Sequence, residues 1–180
     1  MNRLVKVSSK QDIFPQYRNT PIALLLEYHN LSREIIKHEN AQLIIGMCID
    51  NRKHLHIPEN FAYIIRAGGA NMRNSEFNIS YAISVGNVRH LALIGHNNCG
   101  MVNLTERKEI FTKGLVEIAG WGENMAQTHF EDFVARFEIV NELSFVLNET
   151  RRLRQLYPKI QIAPLMYLIE NNKLYLIEEN

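Results

Sequence analysis

The sequence predicts a single α/β domain over residues 1–180, in which helices flank a mostly parallel β-sheet and two strands close the chain. Short apolar runs, too brief for helices, recur along the chain, and segments with helical periodicity lie between them. Apolar strands that alternate with helices are typical of a parallel sheet covered on both faces. At 180 residues the chain is long enough to bury one core.

The composition is that of an ordinary globular protein, with 46% hydrophobic and 22% charged residues. The net charge of +1 gives no reason to expect binding to nucleic acid or to an anionic membrane surface. No apolar segment is long enough for a signal peptide or a membrane span. Two cysteines do not form a disulfide framework in a domain of this size, so we expect a reducing, cytoplasmic location.

The first part of the chain is predicted to hold an arm, a helix and a strand. Residues 1–19 are polar with scattered apolar positions and are expected to form an N-terminal arm or short helix. Thr20 and Pro21 are typical of an N-cap followed by the first helical residue, and the apolar spacing predicts a helix over residues 20–40. The apolar run from Gln42 to Cys48 predicts a buried strand.

The middle of the chain is predicted to add two strands and a helix. A second buried strand runs from Phe61 to Ala67 and ends at Gly68 and Gly69, and a third runs from His90 to His96. A helix is predicted from Ser75 to Val85. Its residues expected to pack are Phe77, Ile79, Tyr81, Ala82 and Val85.

The last part of the chain is predicted to be helical before it closes with two strands. One helix is expected to begin at Cys99, and a Gly-Trp-Gly stretch at 120–122 interrupts the pattern. Helix is expected to resume from about Ala126 to Leu156, in one or two pieces. Two apolar runs on either side of Asn171 and Asn172 then predict a hairpin-like strand pair.

The two cysteines lie in two clusters of residues with metal-binding chemistry. Cys48 ends the first predicted strand, and His96 and Cys99 follow the third. Ligands of parallel sheets bind beyond the carboxyl ends of strands, where the strand order reverses, so these side chains converge if the two strands are neighbours. Two thiols and an imidazole supply three ligands to Zn²⁺ and leave a fourth position for water. The alternative, two merely buried thiols, leaves His96 unexplained.

Two charged residues next to Cys48 are candidates for proton chemistry. Asp50 can accept the proton of a metal-bound water, and Arg52 can hold Asp50 ionised by a charge-assisted hydrogen bond. A purely structural ion pair is the alternative. His54 and His56 can relay protons to solvent, although solvated loop histidines are the commoner case. At a helix N-terminus, Cys99 would be favoured as a thiolate.

The segments MCIDNR and GHNNCGM resemble the two signature segments of the β-class carbonic anhydrases. That family pattern is Cys-x-Asp-x-Arg followed by His-x-x-Cys about fifty residues later. The resemblance implies a zinc lyase in which Cys48, His96 and Cys99 hold Zn²⁺. It implies that a metal-bound hydroxide hydrates carbon dioxide reversibly to bicarbonate, while Asp50 binds the metal-bound water and Arg52 orients Asp50.

The resemblance further implies a homodimer or a higher multiple of dimers. It also implies that Asp50 can rotate onto the metal and close the site, as it does in some members of the family. The family commonly has Arg-Asn-Ala-Gly after the second strand, where this chain has Arg66, Ala67, Gly68 and Gly69. A backbone N–H of Gly68 or Gly69 is expected to face the substrate, the alternative being a turn that needs positive φ.

Three other functions fit parts of the pattern. A related hydrolase acting on carbonyl sulfide or carbon disulfide would use the same metal chemistry. A non-catalytic zinc-binding homologue would keep a fourth protein ligand on the metal. A hydrolase with Cys48 as nucleophile and Asp50 beside it would not need His96 or Cys99. The ligand set also does not separate Zn²⁺ from Fe²⁺ or Co²⁺.

Overall fold

The computed structural model describes residues 3–179, which form one six-stranded sheet with helices on both faces. The strand order is β1-β6-β5-β4-β2-β3. The strands are β1 (Arg3–Lys6), β2 (Leu43–Met47), β3 (Ala62–Arg66), β4 (His90–His96), β5 (Gln161–Leu168) and β6 (Lys173–Glu178). The α-helices are α1 (Pro21–Asn30), α2 (Glu76–Ser84), α3 (Lys108–Ala119), α4 (Glu123–Phe137) and α5 (Glu142–Leu156).

The sheet is mostly parallel, which confirms the predicted fold class. Strands β3, β2, β4 and β5 run parallel to one another. Strand β6 pairs antiparallel with β5 across the turn at Asn171 and Asn172, which confirms the C-terminal strand pair. Strand order reverses between β2 and β4, since β3 lies on the outer side of β2 and β5 on the outer side of β4.

Alternate residues of the central strands face two separate apolar cores. On β2, Leu43 and Ile45 pack with α1, whereas Ile44 packs with α2 and α5. Strands buried on both faces need apolar residues at every position, and this explains their unbroken apolar runs. The same continuity made the strands recognisable in the sequence.

Strand β4 lies very close to α5, and a glycine allows this approach. A Cβ atom added to Gly95 would lie 2.3 Å from Cγ2 of Val146 on α5. Because no side chain could occupy that space, Gly95 permits close packing beside His96, the last residue of β4. The glycine therefore helps to bury the end of the strand that carries a candidate ligand.

The N-terminal predictions are partly correct. Helix α1 begins at Pro21, and the Thr20 hydroxyl oxygen accepts a hydrogen bond from the backbone N–H of Ile22 at 3.2 Å. It ends at Asn30, so the prediction of helix as far as residue 40 is wrong. Ser32 has a φ of 54°, which ends helical geometry there. The predicted arm contains β1, which pairs antiparallel with β6 at one edge of the sheet.

The prediction that a helix begins at Cys99 is wrong. Residues 97–103 form turns, a 3₁₀ turn covers Leu104–Arg107, and α3 begins only at Lys108. Asn98 and Asn103 have φ values of 54° and 51°, in the left-handed region that asparagine tolerates. Cys99 therefore receives no stabilisation from a helix N-terminus.

Two predictions of burial are also wrong. The second predicted strand, β3, is an edge strand rather than a fully buried one, and Tyr63 and Ile64 are 37% and 48% exposed. A strand with a neighbour on one side only is covered incompletely. Helix α2 buries Ile79 and Ala82 as predicted. The other three residues expected to pack, Phe77, Tyr81 and Val85, are exposed.

The long helical region consists of separate helices. Helices α4 and α5 are divided at residues 138–141, in agreement with the two-piece alternative. Helix α3 ends at Gly120, which has a φ of 72°, and α4 begins after Gly122. Helices α3 and α4, here called the α3–α4 hairpin, pack mainly on each other. No helix within residues 3–179 has the length and apolar character needed to cross a membrane.

Candidate metal centre

Three side chains meet at the carboxyl ends of β2 and β4. Cys48 directly follows β2, and His96 is the last residue of β4, the strand hydrogen-bonded to β2. The left-handed turn at Asn98 brings Cys99 back beside them. One ligand atom from each of Cys48, His96 and Cys99 lies within 4.8 Å of the others. We call these three residues the metal triad.

The metal triad has the spacing that a tetrahedral zinc ion requires. The Sγ atoms of Cys48 and Cys99 are 3.9 Å apart. Two sulfur atoms each about 2.3 Å from zinc and subtending a tetrahedral angle would be about 3.8 Å apart. The three side chains are also buried, with at most 5% of the residue surface exposed. Both the donor set and the spacing fit a metal ion.

The hydrogen bonding of His96 leaves one ring nitrogen free for a metal. Nδ1 lies 2.9 Å from the carbonyl oxygen of Asn97, so this nitrogen carries the proton and donates it. Nε2 is buried and has no hydrogen-bond partner within residues 3–179. A buried nitrogen without a partner is costly, and a metal ion bound there would remove the cost.

The two thiols of the metal triad are joined by a hydrogen bond between their sulfur atoms. The hydrogen bond from Cys99 is the main cause that lowers the pKa of Cys48 to about 3, against the opposing effect of burial. The same hydrogen bond, together with burial, raises the pKa of Cys99. The hydrogen bond therefore favours ionisation of Cys48 over that of Cys99, and a divalent cation would favour loss of both protons.

Asp50 and Arg52 form the ion pair that the sequence predicted. The Arg52 guanidinium donates to both carboxylate oxygens of Asp50, at 3.0 Å to Oδ1 and 2.6 Å to Oδ2. This hydrogen bonding is the main cause that lowers the pKa of Asp50 below its ordinary value. Oδ2 of Asp50 lies 3.9 Å from Nε2 of His96. An ionised carboxylate therefore faces the position that a metal would occupy.

Two basic residues that the sequence analysis did not select support this loop. Lys53 is fully buried, and its Nζ lies 3.4 Å from the carbonyl oxygen of Asp50. Arg66, at the end of β3, donates to the carbonyl oxygens of Cys48 at 3.2 Å and Asp50 at 3.3 Å. Only the arginine gave a sequence signal, since it lies at the end of an apolar strand, two residues before the glycine pair Gly68 and Gly69.

Gly68 and Gly69 lie beside the metal triad but in different conformations. Gly69 has a φ of 63°, so the turn interpretation applies to it and not to Gly68. Gly69 borders a narrow void that also contacts His96 and Cys99. Gly68 borders an apolar cavity of about 430 Å³. The other residues that line it are Ile49, Met101, Leu104, Phe111, His129, Phe130, Phe133, Val134 and Phe137.

The two loop histidines lie at the surface. His54 and His56 are exposed, and within residues 3–179 no hydrogen bond joins either imidazole to Asp50. The backbone N–H of His56 donates to Nδ1 of His29, a buried histidine of α1. A role for His54 or His56 in proton relay stays a prediction.

Comparisons with known proteins agree with the resemblance seen in the sequence. A sequence profile of the family described as carbonic anhydrase matches residues 43–171. Those residues include every strand from β2 to β5 and both signature segments. No curated protein gives a significant match to the chain.

Solved structures with a similar fold include carbonic anhydrases and a hydrolase. A carbonic anhydrase from Glaciozyma antarctica is 21% identical with a TM-score of 0.61, covering 76% of this chain and 83% of that one. β-Carbonic anhydrase isoform I from Trichomonas vaginalis is 16% identical with a TM-score of 0.64, covering 83% and 91%. A carbon disulfide hydrolase is 19% identical with a TM-score of 0.54, covering 77% and 79%. Identities this low show a shared fold.

Proposed function

This chain belongs to the β-carbonic anhydrase family, and we propose that it catalyses the reversible hydration of carbon dioxide to bicarbonate with Zn²⁺ held by the metal triad. The observation that carries the proposal is the unpartnered, buried Nε2 of His96 beside two thiols at tetrahedral spacing. Asp50 faces the same position at 3.9 Å from Nε2. These atoms supply three ligands and an adjacent proton acceptor.

Asp50 is the group we assign to proton transfer. When bound, the metal ion lowers the pKa of a coordinated water and so supplies a nucleophile for carbon dioxide. Asp50 would accept a hydrogen bond from a water molecule held by that metal ion and would orient this water. Arg52 keeps Asp50 ionised and fixes its direction through two donated hydrogen bonds.

The apolar cavity next to Gly68 is an argument that the substrate is uncharged. Its lining is almost entirely aliphatic, aromatic and thioether groups, with His129 as the one ring that carries polar atoms. Met101 lines the cavity and also packs against Cys48 and Cys99. A neutral, apolar gas can therefore collect next to the metal triad, whereas an ion would lose its hydration there.

The same cavity leaves carbonyl sulfide or carbon disulfide as an alternative substrate. Both are linear and uncharged, and the fold is shared with a carbon disulfide hydrolase. Product analysis separates the reactions, because the sulfur substrates release hydrogen sulfide and carbon dioxide does not. If hydrogen sulfide is released far faster than carbon dioxide is hydrated, the substrate is a sulfur compound and not carbon dioxide.

The contacts of Asp50 favour catalysis over two further alternatives. Closure of the site onto a fourth protein ligand, as in a non-catalytic zinc protein, would break the bidentate contact between Asp50 and Arg52. A nucleophilic Cys48 would leave the meeting of His96 and Cys99 with it unexplained, and among residues 3–179 the carboxylate of Asp50 accepts from Arg52 and not from Cys48. A cysteine hydrolase would also keep its activity in Cys99→Ser and under chelation.

The edge strand β3 and helix α2 form the surface that we propose for homodimerisation. Phe77 and Tyr81 on α2 and Val85 at its end are 81%, 50% and 66% exposed. Phe77 and Tyr81 border the same groove as Tyr63 and Ile64 on β3. The free edge of a parallel sheet with apolar neighbours is a ready site for pairing with another strand. A second copy would cover both the edge and the apolar side chains.

Sedimentation of the purified protein tests this surface. The parent is expected to sediment as a dimer or a multiple of dimers, and Phe77→Glu with Ile64→Glu as smaller species. Glu59→Lys, a charge change outside this surface, is the control. A monomeric parent would refute the dimer. A dimer that persists in the doubly substituted variant would show that the interface lies elsewhere on the molecule.

Both thiols must stay reduced to bind metal, so a reducing compartment is part of the proposal.

Stopped-flow carbon dioxide hydration, on protein of measured zinc content, tests the proposed function. The assay should run from about pH 6.5 to about pH 9, since the acidity of the catalytic water is unknown. Turnover well above buffer that is lost in Cys99→Ser is the expected result. No turnover at any pH, with one zinc ion per chain, would refute the proposal.

A further inference from the structure

Glu142, the first residue of α5, contacts the backbone of Cys99 in the metal triad. Its Oε1 accepts a hydrogen bond from the backbone N–H of Cys99 at 3.2 Å, although the two residues are 43 apart in sequence. The helix end is capped separately, because Asn141 Oδ1 accepts from the backbone N–H of Ser144 at 2.9 Å. The Glu142 carboxylate is therefore not needed as the cap of its own helix.

The surroundings of Glu142 differ from those of a surface carboxylate. Its side chain borders the narrow void shared with Gly95, His96 and Cys99. Within residues 3–179, no lysine, arginine or histidine forms an ion pair with it. A half-buried carboxylate without a cationic partner is unfavourable unless hydrogen bonds or a nearby cation stabilise it.

Glu142 is one of several residues whose contacts hold the loop between β4 and Cys99. Asn97 Oδ1 accepts from the backbone N–H of Ile169 at 2.9 Å. The carbonyl oxygen of Asn98 accepts from Nη2 of Arg52 at 2.8 Å. Cys99 completes the series by donating to Glu142. Each loop residue is thus attached to a different part of the chain.

We propose that Glu142 is a positioning residue of the metal centre, which fixes the Cys99 backbone so that its Sγ stays at ligand distance from Cys48 and His96. The inference rests on the proposed metal centre but not on the identity of the substrate. Hydrogen bonds to a carboxylate are stronger than neutral ones. Partners that orient metal ligands contribute about 10- to 100-fold to metal affinity.

The charge of Glu142 has a separate effect that the experiment must distinguish from the hydrogen bond. Its negative charge disfavours a neighbouring thiolate and favours a bound cation, whatever the position of Cys99. In Glu142→Gln the amide oxygen can still accept the hydrogen bond, but the charge is lost. In Glu142→Ala both are lost.

Cobalt binding measured by competition with a chelator tests the proposal. Glu142→Ala is expected to weaken Co²⁺ binding by about 10-fold or more, and Glu142→Gln by no more than about threefold. The thiolate-to-cobalt charge-transfer absorption should change in Glu142→Ala and match the parent in Glu142→Gln. Glu138→Ala is the control, since Glu138 accepts from the backbone N–H of Thr105 at 2.7 Å away from the metal triad.

Two results would overturn the proposal. Parental cobalt affinity and absorption in Glu142→Ala would show that Cys99 needs no support, and equal losses in both variants would assign the effect to charge. Circular dichroism of the metal-free variants monitors folding. If Glu142→Ala does not fold, Glu142→Asp, one methylene shorter, should show the same loss. A parent that binds no metal would refute the metal centre itself, whereas a parent that binds cobalt without turnover would refute only the proposed reaction.

Discussion

The metal triad and the α3–α4 hairpin are neighbours in the chain but are held in place differently. The loops of the metal triad are attached by hydrogen bonds to distant residues, among them Arg52, Glu142 and Ile169. The hairpin packs mainly on itself, and α3 contains no buried residue. Ile118 on α3 is 89% exposed, whereas His96 is 1% exposed.

This difference teaches which parts of the chain can change independently. Atoms that must meet at metal-ligand distances need supports from several directions, so a change there affects function strongly. A hairpin with few contacts to the rest of the molecule can alter the apolar cavity with little effect on the sheet. We expect it to determine which apolar molecules enter, while the metal triad determines the chemistry.

The largest expected effect is removal of a metal ligand. Cys99→Ser should lower zinc affinity by more than about 100-fold and abolish carbon dioxide hydration, because the loss of a ligand exceeds that of its supports. Zinc titration followed by thermal unfolding measures the affinity, since a bound metal stabilises the folded chain, and a stopped-flow assay measures hydration. Glu117→Gln on the hairpin is the matched control. A zinc-dependent rise in melting temperature that persists in Cys99→Ser would contradict the assignment.

Removal of the proton acceptor should have the next largest effect. Asp50→Asn keeps the size of the side chain but loses its charge, and we expect hydration to slow by about 10²- to 10⁴-fold. Zinc content should remain that of the parent, because Asp50 is not a member of the metal triad. Stopped-flow hydration with metal analysis measures the two quantities. An unchanged hydration rate in Asp50→Asn would show that the ion pair of Asp50 with Arg52 is only structural.

A pair of isoleucine substitutions compares how much the sheet and the α3–α4 hairpin contribute to the free energy of unfolding. Ile45→Ala, at a fully buried position of β2, should lower the free energy of unfolding by about 2 to 5 kcal/mol. Ile118→Ala on the hairpin should change it by no more than about 0.5 kcal/mol. Urea denaturation of the two variants gives both values. An equal loss at Ile118 would mean that a second copy of the chain covers the hairpin.

The pH dependence of stability should come from the core rather than from the hairpin. Burial is the main cause that lowers the pKa of His29 from 6.5 to about 4. Between these values the unfolded chain binds a proton that the folded chain does not, so stability is lost as the pH falls. From pH 7 to pH 5 the loss attributable to His29 is about 2 kcal/mol.

Denaturation in the presence of a chelator isolates this effect, because metal binding then adds no pH dependence. His29→Gln should reduce the slope of the curve between about pH 5 and pH 7 by the part attributable to His29. A slope that is the same in His29→Gln and the parent would show that other groups bind the proton.

Local patterns in the sequence indicate the strands and the three residues of the metal triad. The apolar runs at Leu43–Met47 and His90–His96 were recognisable because strands buried on both faces need apolar residues at every position. Cys48, His96 and Cys99 were recognisable as two thiols and an imidazole at the ends of two predicted strands, and the pairing of β2 with β4 in the structure brings them together. The pairing of Asp50 with Arg52, two residues apart, is also a local property.

The tertiary structure alone decided how these parts are supported and which surfaces stay exposed. No local pattern shows that Glu142 reaches Cys99, because residues 43 apart meet only when α5 packs on β4. The edge position of β3 depends on the order of all six strands, so the exposure of Tyr63 could not be read from its own run. Sequence patterns report the environment of neighbouring residues, whereas distant contacts depend on how the whole chain packs.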